Sequence, residues 1–288
     1  MAAPPPVHST QALQPFTPQQ LAGILGQTVE QPAPRMVGHG GMGTVFLGSW
    51  RGEEVVVKVF PLARDYIKEK ERLLKVLQTL PLPTDSPIGM PFGFCDNYIE
   101  DRGAMIGLFY AGGTLEERGG ALTAAQGISV FCQLFGGLVK LHLHGVLHND
   151  LKPANICFLG RPGTPTELLV RIIDWGLGLV LEPGRSAVRG ADGSGFTPGM
   201  CAPQVQQEEH WSRAGDLYSA GMCLLWWLML GVGPYKIEEL RPAAKLWLSQ
   251  PKDFLNRLQL AGRKGFTLEV VQILTMLAYV LTADAEAD

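Results

Sequence analysis

The texture of this chain changes once, at the glycine joint Ala111-Gly112-Gly113-Thr114. Before the joint, short apolar runs rich in β-branched residues alternate with glycines: VGHGGMGTVFLGSW from Val37, EEVVVKVF from Glu53 and AMIGLFY from Ala104. Such runs read as strands joined by turns. Among them, ARDYIKEKERLLKVLQTL from Ala63 has helical spacing, with Ile67, Leu73, Leu74 and Leu77 apolar and a charged opposite face. After the joint, apolar segments lengthen into helices: ISVFCQLFGGLVKLHLHG from Ile128, LYSAGMCLLWWLML from Leu217 and FTLEVVQILTMLAYVL from Phe266. A small strand-rich part followed by a larger helical part predicts an α+β chain of two unequal lobes with a cleft between them. The expected bounds are 35–109 for the first lobe and 110–288 for the second.

Residues 1–34 carry many of the prolines and read as a Pro-rich, partly disordered extension. A short helix is expected within TPQQLAGILGQTVE, where Thr17 caps and Pro18 takes the first helical position. The sequence is long enough for two packed lobes, with 46% hydrophobic and 18% charged residues among 288. A net charge of −3 without a long basic run argues against nucleic acid or an anionic membrane surface as partner. The apolar run Leu217–Gly233 falls short of the ~20 residues of a membrane span and reads as a buried helix. Five scattered cysteines without CxxC spacing argue against a disulfide framework or zinc site. With no secretory n- or h-region in MAAPPPVHSTQALQPF, they predict a reducing, intracellular setting, cytoplasmic or nuclear.

Five elements carry chemistry. Gly38, Gly40 and Gly43 form G-x-G-x-x-G ahead of Val45, a spacing that lets backbone N–H groups approach phosphate oxygens. A plain glycine-rich hairpin has the same pattern. Strand-like flanks disfavour a dinucleotide turn, and the Lys-Ser/Thr of a P-loop is missing. Lys58 ends VVVK, where a charge in a valine-rich strand needs a partner or a path to water. A carboxylate on the following helix would hold it towards phosphates. Glu69, with Leu73 and Val76 four and seven residues on, is preferred; Glu71 is the alternative. In HNDLKPANI, from His148, Asp150 can accept the proton of an attacking hydroxyl and Lys152 can neutralise phosphoryl charge. Asn155 can ligate a metal ion, and Asp174 in RIIDWG supplies a second hard oxygen ligand of the kind magnesium–nucleotide sites use.

In that order these motifs resemble those of a eukaryotic-type serine/threonine protein kinase, from about residue 36 to the C-terminus. GHGGMGTV is similar to the glycine-rich loop, HNDLKPAN to the catalytic loop and DWG to the metal-binding DFG. TPGMCAPQ, Thr197 to Gln204, resembles the segment ending Ala-Pro-Glu, and DLYSAG resembles the start of the helix whose Asp216 holds the catalytic loop. LFYAGGTL resembles the hinge, which implies a gatekeeper at Leu108 and adenine-contacting backbone from Phe109 to Ala111. The resemblance implies a two-lobed kinase fold, ATP and Mg²⁺, and a protein substrate with a Ser/Thr acceptor. Lys152 and Thr197 resemble the serine/threonine branch rather than the tyrosine branch.

The departures are Asn149 for the usual Arg before Asp150, Trp175 for the Phe of DFG, and Gln204 for the Glu of the Ala-Pro segment. No Arg follows Arg263, so both halves of the ion pair that Glu normally makes are expected to be missing together. Asn149 implies activity without a phosphorylated activation loop, since a neutral amide cannot make the charge-assisted pair that Arg makes with phosphate. The competing readings are a small-molecule kinase of the aminoglycoside or choline type and a pseudokinase scaffold.

Overall fold

The computed structural model describes residues 13–26, 34–40, 43–80, 87–189, 195–208, 210–233 and 236–282. The chain divides into two compact units, Met1–Tyr110 and Ala111–Asp288.

In the first unit, β1 (Gln14–Pro15), β2 (Met36–Gly40), β3 (Gly43–Trp50), β4 (Glu53–Val59), β5 (Gly93–Ile99) and β6 (Arg102–Leu108) form one sheet in the order β1-β5-β6-β4-β3-β2. All neighbours are antiparallel except β1, which adds parallel to β5. Helix α1 (Pro18–Ile24) lies on one face and α2 (Ala63–Thr79) on the other. This explains the unbroken VVV of β4: a strand covered on both sides has no solvent face to alternate with. Val55 and Val57 enter the core beneath α1, whereas Lys58 reaches α2.

The stretch Leu13–Gly26, read from sequence as part of a loose extension, is built into this core. Phe16, Leu21, Ile24 and Leu25 are buried with Val55, Val57 and Ile106. Thr17 forms a reciprocal capping box with Gln20, and Pro18 opens α1 as expected. Two glycines admit the segment: a Cβ on Gly48 would lie 2.6 Å from the Ile24 carbonyl oxygen, and one on Gly93 would lie 2.4 Å from the Phe16 ring. On α2, the buried residues are Tyr66, Glu69, Leu73 and Val76, while Ile67 and Leu74 face outward. Counting only apolar residues misplaced that face, because two of its anchors are a tyrosine and a glutamate.

The second unit begins with α3 (Leu115–Arg118) and α4 (Ala124–Leu143), each started by a Thr capping box, with Gly145 in left-handed φ of 71° just past α4. Three short antiparallel pairs follow. β7 (Val146–Leu147) meets β10 (Leu179–Val180), β8 (Ile156–Phe158) meets β9 (Val170–Ile172), and β11 (Ala187–Arg189) meets β12 (His210–Ser212). The remaining helices are α5 (Pro203–Glu208), α6 (Arg213–Met229), α7 (Leu240–Ser249), α8 (Pro251–Leu260) and α9 (Leu268–Thr282). Helix α6 is buried along almost its whole length, as its apolar run predicts. Among the described helices, α4 alone is long and apolar enough to cross a membrane. It packs instead against α6: Gly127 lies so close to the Trp227 ring that a Cβ there would sit 2.0 Å from it.

Arg263, the last arginine of the chain, has other partners than a carboxylate. It is 6% exposed and donates from Nη1 to the carbonyls of Trp227 at 2.9 Å and Leu230 at 3.1 Å. Its guanidinium also lies over the Trp227 and Phe266 rings. No carboxylate pairs with it among the described residues, and burial lowers its pKa to about 10. The carbonyls it meets end α6, where the helix dipole favours a cation. Arg263 is therefore held by a helix C-terminus and two aromatic faces.

If Leu13–Gly26 belongs to the core, Leu21→Ala should cost about 2–5 kcal/mol in urea unfolding. Exposed Gln19→Ala should leave the midpoint unchanged; equal midpoints for both variants would show a dispensable tail.

Candidate active site

The β3–β4 register sets Val45 opposite Lys58, so both side chains share the face that α2 covers. Lys58 Nζ donates to both carboxylate oxygens of Glu69, at 2.9 and 2.8 Å, and lies 5.0 Å from the centre of the Phe60 ring. Glu69 is buried and Glu71 is exposed, which decides between the two carboxylates. Upstream, Gly38 pairs with Val45 and Gly40 with Gly43 across the β2–β3 hairpin. Gly43 has φ of 142°, and a Cβ there would stand 2.5 Å from the Val59 carbonyl oxygen. Only glycine fits that position. Residues 41 and 42, within the motif, lie outside the described residues.

The gatekeeper expectation at Leu108 needs correction. In the β4–β6 register Leu108 pairs with Val55, and its side chain packs on the core beneath α1. Gly107 pairs with Val56, two residues from Lys58, and so occupies the Lys58 face. Strand side chains alternate, so an error of one residue exchanges the faces. Phe109 donates its N–H to the Glu54 carbonyl at 3.1 Å. Ala111 opens the second unit, just before Gly112 donates to Phe158.

In the second unit the catalytic-loop candidates hang from one buried carboxylate. Asp216, in the first turn of α6, is 1% exposed. Its Oδ2 accepts the N–H of His148 at 2.9 Å and His142 Nε2 at 3.0 Å, and its Oδ1 accepts the N–H of Asn149 at 2.8 Å. His148 donates from Nε2 to the Ile173 carbonyl at 3.0 Å and accepts the Asp150 N–H at Nδ1, so its partners fix the tautomer. Its ring also meets Trp175 edge-on at 4.7 Å, which gives the aromatic body of that residue a packing role.

Asp150 is the meeting point of the site. Its Oδ2 accepts Lys152 Nζ at 2.6 Å and Asn155 Nδ2 at 3.1 Å, and its Oδ1 accepts the Thr197 hydroxyl at 2.6 Å. Lys152 also donates to Thr197 Oγ1 at 3.2 Å. Asn155 spends its amide N–H groups on the Asp150 carbonyl and carboxylate, so its own oxygen is the atom left to act as a ligand. The β8–β9 hairpin pairs Ile156 with Ile172, and the Ile173 N–H reaches the Asn155 carbonyl at 3.0 Å. Asn155 and Asp174 are thereby brought to the same end of one hairpin. Among the described residues no cluster of three or more His, Cys, Asp or Glu forms a dedicated metal cage. An Asn–Asp pair is the sparse oxygen set that suits magnesium completed by phosphates and water.

Asn149, the departure noticed in the sequence, has φ of 65°, a left-handed conformation that Asn tolerates better than most residues. Its Nδ2 donates to the Leu177 carbonyl at 2.9 Å, joining the catalytic loop to the turn after Trp175. The activation segment is tied in through the β11–β12 pair and through Thr197. Ser186 is exposed, and Ser194 lies outside the described residues.

The sequence profile described as the protein kinase domain matches residues 33–259. Similar proteins include serine/threonine-protein kinase 36 of Pongo abelii, 25% identical over 75% of this chain and 16% of its own length. Mitogen-activated protein kinase kinase kinase 12 of Rattus norvegicus is 30% identical over 73% of this chain and 21% of its own length. Serine/threonine-protein kinase PknJ of Mycobacterium bovis is 29% identical over 70% of this chain and 34% of its own length. The chain thus spans about a third or less of the length of these curated relatives. Its match to the family runs through both units and every loop just described, and the chain belongs to the protein kinase domain family.

Proposed function

We propose that the chain is a serine/threonine protein kinase that transfers the γ-phosphoryl group of ATP to a protein hydroxyl, without needing a phosphorylated activation loop. The observation that carries this reading is the Asp150 carboxylate, which is oriented by Asn155 and already accepts a hydroxyl, that of Thr197, beside the Lys152 ammonium. A carboxylate held in this way is suited to accept the proton of an attacking serine or threonine as its oxygen bonds to the γ-phosphorus and the bond to ADP breaks. Lys152 offsets charge on the transferring group. In the first unit Lys58, fixed by Glu69, is the cation for the nucleotide phosphates, and the β2–β3 hairpin offers backbone N–H groups to them. Val45, on the Lys58 face, and the backbone from Phe109 to Ala111 are assigned to the adenine end. Asn155 and Asp174 would hold Mg²⁺, which when bound neutralises phosphate charge. Serine/threonine kinase names among the relatives support the acceptor class. Five unpaired thiols support a reducing, cytoplasmic or nuclear setting.

Independence from activation-loop phosphorylation rests on Asn149. Its neutral amide makes a tether to Leu177 that requires no phosphate. Thr197 is poorly placed as an activating phosphosite, because its hydroxyl oxygen contacts the Asp150 carboxylate.

Transfer from magnesium–ATP to a degenerate serine/threonine peptide library tests the reading. Asp150→Asn should lower turnover about 10²–10⁴-fold with an unchanged thermal melt. Asp174→Asn should abolish transfer equally; wild-type turnover in either variant would remove the site assignment. Nucleotide binding without turnover on peptides or small-molecule alcohols would identify a scaffold instead. Thr197→Ser should retain most activity and Thr197→Val should lose it, as only the serine keeps the hydroxyl. Phosphatase-treated protein should remain active; loss of turnover after that treatment would refute independence from the activation loop.

A further inference from the structure

The face of the first sheet that carries Lys58 holds a second polar anchor for α2. Lys58 pairs with Met105 and Met105 with Phe94, so these three side chains share one face across β4, β6 and β5. One further alternation along β5 places Asp96 on the same side. Two side chains of α2 meet it there. The Tyr66 hydroxyl donates to Asp96 Oδ1 at 2.6 Å, and Lys70 Nζ donates to Oδ1 at 2.8 Å and Oδ2 at 3.0 Å. The Lys70 ammonium also lies 3.6 Å from the centre of the Phe94 ring. Burial raises the Asp96 carboxyl pKa, but the hydrogen bonds from Lys70 and Tyr66 outweigh it and leave the group below the usual carboxylate range.

Tyr66, Glu69, Lys70 and Leu73 stand at helical spacings of three and four, on one face of α2. Glu69 binds β4 through Lys58, while Tyr66 and Lys70 bind β5 through Asp96. The strand between, β6, offers Gly103, where a Cβ would stand 2.3 Å from the Tyr66 ring. The ring therefore rests directly on backbone. It continues edge-on to Phe60 at 5.5 Å, and Phe60 is the ring beneath Lys58. A chain of contacts thus runs from Asp96 through Tyr66 and Phe60 to the Lys58–Glu69 pair.

We propose that Tyr66, Lys70 and Asp96 are positioning residues of phosphoryl transfer, clamping α2 to β5 so that Glu69 meets Lys58 through contacts internal to the first unit. The proposal rests on the kinase reading for its kinetic consequence, but the clamp itself is independent of turnover. Exposed ion pairs contribute little, and Asp96 is half-exposed, so the bond from the buried Tyr66 hydroxyl is the effective part. No partner protein or phosphate is then needed to bring α2 into register.

The test measures steady-state kinetics and hydrogen exchange on the full chain. Asp96→Ala should lower kcat/KM for ATP about tenfold and speed exchange across 63–79, because a small displacement of a positioning group weakens transfer out of proportion to stability. Asp96→Asn, which keeps an oxygen for Tyr66, should stay within about threefold of the unsubstituted chain. Tyr66→Phe removes one oxygen atom and carries the test if Asp96→Ala fails to fold. Unchanged exchange and kinetics in Asp96→Ala or Tyr66→Phe would overturn the proposal, as would a lower melting temperature with kinetics unchanged. If the unsubstituted chain transfers no phosphate, the kinase reading fails, and faster α2 exchange in Asp96→Ala still supports the clamp while unchanged exchange overturns it.

Discussion

A carboxylate with almost no access to water organises the second unit. Asp216 lies in the first turn of α6, where helix N–H groups favour negative charge, and it accepts from two consecutive backbone amides and a histidine. Buried charge is costly unless every lone pair is answered, and hydrogen bonds to charged groups contribute roughly 1.5–3 kcal/mol each. The result is that His148 and Asn149 have their backbone fixed before any side chain of the loop is considered. His148 then fixes the Asp150 amide, and Asn155 fixes the Asp150 carboxylate. The placement of Asp150, the group assigned to proton handling, thus rests through His148 on Asp216.

The first unit obeys a different constraint, a sheet that must be covered on both faces. Helix α2 covers one face through two polar anchors beside buried Leu73 and Val76, and α1, with Phe16 just before it, covers the other through apolar side chains. Both helices bury apolar side chains, and α2 adds directional polar bonds to them. The apolar contacts hold the helices to the sheet, whereas the polar bonds set the orientation of Glu69. Directional bonds discriminate between helix positions more sharply than apolar contact does.

What the sequence made legible follows from this division. The Lys58 strand, the Asp150 loop and the long α4, α6 and α9 helices were readable because short motifs and periodicity carry local information. The place of Leu13–Gly26 was not readable. Its apolar residues are few, and what welcomes them are absent side chains on distant strands, at Gly48 and Gly93. The choice of Glu69 over Glu71 was favoured by helical phase and decided by burial. Leu108 was misplaced because motif spacing ignores the alternation of a strand, which only register supplies. The partners of Arg263, the last carbonyls of α6, were not readable either, because sequence shows no carbonyl acceptors.

Asn149 brings the two kinds of constraint together. A left-handed backbone costs most L-residues about 1 kcal/mol or more, and Asn is among those that adopt it readily. The same residue then donates its amide to the Leu177 carbonyl, a neutral bridge. An arginine there would need an anion to repay its desolvation, so its order would depend on whether a phosphate is present. An asparagine needs only a carbonyl, and the carbonyl is already part of the chain. On the proposed reading this contact is unconditional, and it lies beside the carboxylate on which transfer is proposed to depend.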